Sequence, residues 1–139
     1  MTGLATALAA EHAAIFAYGA IGVRLTGAEQ QEARAAEEAH RARRDALIVA
    51  LATDGDSPPP TEPGYALPFP VTDRASALRL AVHVEERTAA AWRAALRETT
   101  GDQRAQALDG LIDCAVRATR WRRFAGLTPV TVPFPGRPD

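Results

Sequence analysis

Residues 54–72 read DGDSPPPTEPGYALPFPVT. Proline lacks an amide hydrogen and pushes its predecessor toward extended backbone, so no helix passes through this stretch. It divides the chain into two halves and must connect them. At ~3.1 Å per extended residue it reaches ~55 Å, whereas a helix of about 24 residues rising ~1.5 Å each is ~36 Å long. The link can therefore run the length of a helical bundle, the alternative being a loose surface loop. If a short turn makes each half an antiparallel hairpin, such a link leaves the second and third helices parallel. The fold class this predicts is all-α, a four-helix bundle with one long crossover between helices 2 and 3.

The flanking halves carry the helical periodicity this requires. Leu4, Leu8, Glu11, Ile15, Tyr18, Gly22 and Leu25 recur at alternating steps of four and three, which lines one helix face. Thr26 and Gly27 interrupt the pattern, and Ala33, Glu37, His40, Arg44, Leu47 and Leu51 resume it through about Thr53. A third run, capped by Thr72 or Asp73, places Leu78, Val82, Glu85, Ala89, Trp92 and Leu96 on one face, since Thr and Asp side chains accept from a helix's first free amides. A turn at Thr99–Asp102 leads into a fourth helix ending near Ala125, with Leu108, Leu111, Ile112, Cys114, Ala115, Ala118 and Trp121 available to the core. The tail, residues 126–139, is too rich in proline to continue it, and Val130, Val132 and Phe134 suit packing along a groove or on a second copy. One domain over residues 1–139 is expected at this length.

Three of the four seams have a polar residue at mid-helix: Glu11, then Glu37 with His40, then Glu85. Folding the first hairpin about Thr26–Gly27 brings Glu11 level with residues near 42, and folding the second near Thr100 brings Glu85 level with Ala115. Carboxylates gathered in an apolar bundle are costly unless a cation compensates them. One candidate is iron or manganese, which suits oxygen ligands with an imidazole. The other is arginine, which holds carboxylates bidentately and keeps its charge; Arg44, Arg117, Arg120 and Arg122 are in reach.

With these residues in place, residues 3 to 125 resemble the ferritin-like superfamily, and within it small bacterial four-helix members of no assigned role. The resemblance implies a glutamate from each of helices 1 and 3 and a Glu-x-x-His pair from each of helices 2 and 4. Glu11, Glu37, His40 and Glu85 match that pattern as metal ligands. The fourth helix departs from it: Ile112 and Ala115 stand at the required level, and Asp113 is followed three residues later by Val116. The implied di-iron site is thus degenerate. Two readings follow: a structural or interaction protein whose carboxylates are neutralised by His40 and arginine, with no cofactor, or a mononuclear or dinuclear iron or manganese protein of redox or storage type.

Other features narrow the function by exclusion. A formal charge of −1 exerts no pull toward nucleic acid or anionic membrane. The basic-aromatic run RATRWRRF, residues 117–124, falls in the last turns of a helix, where cations complement the macrodipole. The apolar N-terminus lacks a basic leader and is interrupted by Glu11 and His12, so it reads as mature helix in a cytoplasmic protein. The lone Cys114 fits a reducing compartment. His12 and His83 fall off their seams, as flanking or solvated side chains. Gly19 and Gly22 allow close helix approach, and a homodimer is expected. No nucleophilic triad or phosphate loop is present, so enzymatic chemistry of the usual hydrolytic or nucleotide kinds has no residues to carry it.

Overall fold

In the computed structural model, which describes residues 2–138, the chain forms four helices and, among those residues, no strand. They are α1 (Gly3–Gly22), α2 (Gly27–Thr53), α3 (Arg74–Ala95) and α4 (Gly101–Ala125), with a 3₁₀ turn at Leu96–Glu98 after α3. The helix ends follow local chemistry. The Thr2 hydroxyl accepts from the Ala5 amide. Asp73, not Thr72, caps α3 in a reciprocal capping box with Ser76. Gly126 closes α4 at φ 70°, a left-handed conformation that costs glycine little.

α1 packs against α2 and α3, and α3 packs against α4, while α2 and α4 barely touch. Glu11 faces Trp92 and Tyr18 faces Glu85, so α1 and α3 run antiparallel. The α1–α2 hairpin then makes α2 and α3 parallel, as the reach of the crossover requires. That crossover is not loose. It runs along α1, where Pro59 and Thr61 meet His12, Tyr65 stacks tilted on Phe16, and Leu67, Phe69 and Val71 pack onto the core. The core forms two apolar clusters, one around Tyr18, Ile21, Leu78 and Trp121, the other around Leu8, Leu47, Leu51 and Trp92. Among the described residues one helix, α1, is long and apolar enough to cross a membrane, and here more than half of it is buried in the bundle.

Several expectations change. Leu108 and Ile112 lie on the solvent face of α4, and its interior is built from Ala107, Gly110, Cys114, Arg117, Ala118 and Trp121. Gly19 and Gly22 mediate no close approach, because a Cβ at either meets nothing within 4 Å. The tail folds back on α3, where Arg93 donates to the Pro135 carbonyl and Gly136 lies against the Ala89 backbone. Val132 and Phe134 remain exposed. His12 is buried, with one ring nitrogen at the Pro59 carbonyl and the other at the Thr61 hydroxyl. It pins the crossover to α1.

Candidate functional site

Between the two apolar clusters, all four helices contribute polar side chains to one buried network. Glu11 and Tyr18 are seven residues apart on α1, as are Glu85 and Trp92 on α3. Two helical turns put each pair on one face, and the antiparallel packing matches each carboxylate to the other helix's aromatic donor. The Trp92 indole N–H donates to Glu11 Oε1 at 2.8 Å, and the Tyr18 hydroxyl donates to Glu85 Oε2 at 2.7 Å. His40 of α2 lies between the two acids, with Nδ1 2.5 Å from Glu11 Oε2 and Nε2 2.7 Å from Glu85 Oε2. From α4, Arg117 donates to Glu85 Oε1 at 3.1 Å and pairs with Asp113 one turn back at 2.9 Å, while the Trp121 indole donates to the Tyr18 oxygen at 2.9 Å. Glu11, His40 and Glu85 have no exposed surface, and Arg117 is 6% exposed.

These contacts favour a charged imidazole. An ionised carboxylate only accepts, so an imidazole held between two of them carries a proton on both nitrogens. Burial opposes the charged ring, but Glu85 and Glu11 outweigh it and hold the His40 pKa at about 10. Burial likewise opposes the Glu85 charge, and His40, Arg117 and Tyr18 overcome it, lowering its pKa below the usual carboxylate range. Burial and the neighbouring Glu85 push the Tyr18 phenol well up. His40 and Arg117 are the two cationic side chains set against the two central carboxyl groups, Glu11 and Glu85.

Gly110 belongs to this geometry although it carries no side chain. A Cβ there lies 2.6 Å from the Trp92 ring, which needs that space to reach Glu11. Gly110→Ala is expected to destabilise the fold by about 1–3 kcal/mol, although alanine favours helix, because overpacking outweighs propensity. Urea unfolding measures it; an unchanged or raised midpoint contradicts this role for the glycine.

Of the residues singled out in the sequence, Glu11, His40 and Glu85 come together and Glu37 does not. Glu37 points outward and meets Arg41 at 3.3 Å, one turn along the same helix. Its place facing the bundle is taken by Ala36, four residues before His40 and fully buried. Of Arg44, Arg117, Arg120 and Arg122, Arg117 enters the network, and Arg43 reaches its edge at Asp113, 3.5 Å away. Arg44 pairs with Asp45, Arg120 with Glu32 and Arg122 with Glu86, all toward the surface. His83 is partly buried and outside the network. Tyr18, Trp92 and Trp121 read as core residues in the sequence and prove also to be the network's neutral donors.

Glu11, His40 and Cys114 offer ligand-type atoms within 4.8 Å of one another. As packed, they do not fit a resident iron or manganese. Both His40 nitrogens lie against carboxylate oxygens, so a metal would have to displace an ion-pair contact to reach a ring lone pair. Burial and the nearby carboxylates push the Cys114 thiol well above its ordinary range, away from the thiolate that binds metals.

The family described as "Domain of unknown function (DUF4439)" matches residues 3–139. Among solved structures, the chain is similar to a conserved hypothetical protein, rv2844, from Mycobacterium tuberculosis, with 41% identity over 88% of this chain and 93% of that one and a TM-score of 0.85. Among curated proteins, none matches.

Proposed function

The chain belongs to the DUF4439 family, and from that premise we propose that it is a ferritin-like bundle whose metal site has become an ion-pair network, serving as a structural or interaction protein. The single long crossover and the mid-bundle acids contributed by α1 and α3 support the ferritin-like reading. One observation carries the replacement of metal by ion pairs: both ring nitrogens of His40 are held by carboxylates, Glu11 at 2.5 Å and Glu85 at 2.7 Å. In this reading the imidazolium takes the place of one cation between the acids, and Arg117 supplies the second positive charge. The zero exposure of Glu11, His40 and Glu85 gives a substrate no approach, which favours a non-catalytic role. The competing iron or manganese reading rests on the Glu11–His40–Cys114 grouping.

Nitrogen-15 NMR and elemental analysis separate the two. The expected spectrum shows both His40 ring nitrogens protonated at pH 8. Untagged protein incubated with ferrous iron or manganese, with and without air, is expected to retain neither. Glu37→Ala leaves metal content unchanged and shifts stability by no more than about 0.5 kcal/mol, as for an exposed helical pair. Near-stoichiometric metal that disappears in a His40→Ala variant sinks the proposal and restores the metal-binding alternative.

A further inference from the structure

The solvent face of α4 is apolar at its centre. Leu108, Ile112 and Val116 recur every four residues and are 45%, 52% and 47% exposed, although the opposite side of the helix already supplies the core. At about 100° per residue all three fall within ~40° of one line along the helix, which Ala105 and Thr119 extend at either end. Ile112 lies near the middle of Gly101–Ala125. The exposed charges around it are polarised: Asp102 and Asp109, with Arg104 between them, precede it, and Arg120 and Arg123 follow it.

We propose that this face docks a second copy of the chain, α4 against α4, antiparallel about a two-fold axis at Ile112. Leu108 then meets Val116 of the partner subunit, and the small Ala105 meets Thr119 of the partner subunit. Asp102, ~15 Å before the axis, comes level with Arg120 and Arg123 of the partner subunit, ~12 and ~16 Å beyond it. Asp102 and Arg120 are eighteen residues apart, about five full turns, so they share one flank of the stripe. A two-fold axis sets that flank against its own copy, and the charges match. A parallel pairing brings only like charges level and puts them on opposite flanks, so neither Asp102 nor Arg120 meets an opposite charge. Arg120 is free to turn, since its side chain is 56% exposed and holds Glu32 only at 3.3 Å. On the other flank, Arg104 is engaged by the Leu96 carbonyl and Arg122 by Glu86.

A helix pair alone falls short of the ~1,200 Å² that stable interfaces bury. The loose α2–α4 edge supplies more. A groove of about 530 Å³ opens there; four alanines in its lining, Ala39, Ala42, Ala46 and Ala105, leave room for partner side chains, and the carboxylates Asp102, Asp109 and Asp113 also line it, beside Arg43 and Gln106. The proposal stands on this face alone and is independent of how the buried network is read.

Sedimentation equilibrium of the full chain tests it. The wild type is expected to be a dimer at micromolar concentration, and Ile112→Asp, at a half-exposed site, to weaken association at least ~100-fold with an unchanged circular dichroism spectrum. Asp102→Arg weakens it about tenfold, and adding Arg120→Asp in the same chain restores it. On mild oxidation, Ile112→Cys forms a covalent dimer, whereas the wild type, with Cys114 buried, does not. A wild-type monomer at these concentrations, or a dimer indifferent to Ile112→Asp, overturns the proposal. Failure of the charge swap and of the cross-link overturns the antiparallel geometry.

Discussion

Replacing His40 by leucine is expected to cost about 3–5 kcal/mol of folding stability, the usual consequence of removing one partner from a buried ionic set. The loss has a specific source. The two glutamates that flank His40 have no exposed surface, and without the imidazolium they repel each other with only Arg117 to offset two negative charges. Glu85 keeps Arg117 and Tyr18, while Glu11 keeps only the Trp92 indole. Glu11 is therefore the acid left uncompensated. Adding Glu11→Gln to His40→Leu is expected to recover about 1–3 kcal/mol, because residues in one network couple non-additively. The double variant then exceeds the single in urea unfolding, although it lacks more native side chains. If the two losses simply add, the charges do not act as one unit.

This coupling was only partly legible in the sequence. The hairpin pivot at Thr26–Gly27 was enough to bring Glu11 and His40 together, because two rigid helices and a short turn leave little freedom in register. The same reasoning misplaced Glu37. In the run Ala33-Arg34-Ala35-Ala36-Glu37, several steps of three or four lead to His40, and alanine carries too little apolar signal to show that Ala36 faces inward. Arg117 is a different case. It belongs with Gly110, Cys114 and Trp121 at steps of four, three and four, a seam that was readable but was obscured by Leu108 and Ile112, which look more like core residues. Gly110 was unreadable in principle, since its necessity lies in the Trp92 ring of another helix. His12 was misread for a related reason. α1 is apolar nearly all round, so its seam does not reveal that the crossover covers a second face.

Between pH 7 and 9 the wild type is expected to lose stability steadily, and this dependence locates the positive charge on His40. Its folded pKa, about 10, lies above its unfolded value of 6.5. Its contribution is therefore complete below pH 6.5, declines by about 1.4 kcal/mol per unit above it, and is gone beyond about pH 10. The full contribution is on the order of 5 kcal/mol. Cys114 and Tyr18, also raised by burial and by Glu85, steepen the decline only near and above their ordinary values of 9 and 10. At the acid end the sign reverses. Glu85 is lowered from 4.5, so its stabilisation is present above that value and is lost as the pH falls through its folded pKa. Urea midpoints at pH 7, 8 and 9 isolate the histidine, because His40→Leu should be nearly flat over that range while the wild type slopes. A flat wild-type profile means that His40 is neutral when folded. A neutral ring has a free lone pair, and the argument against a metal at this site fails with it.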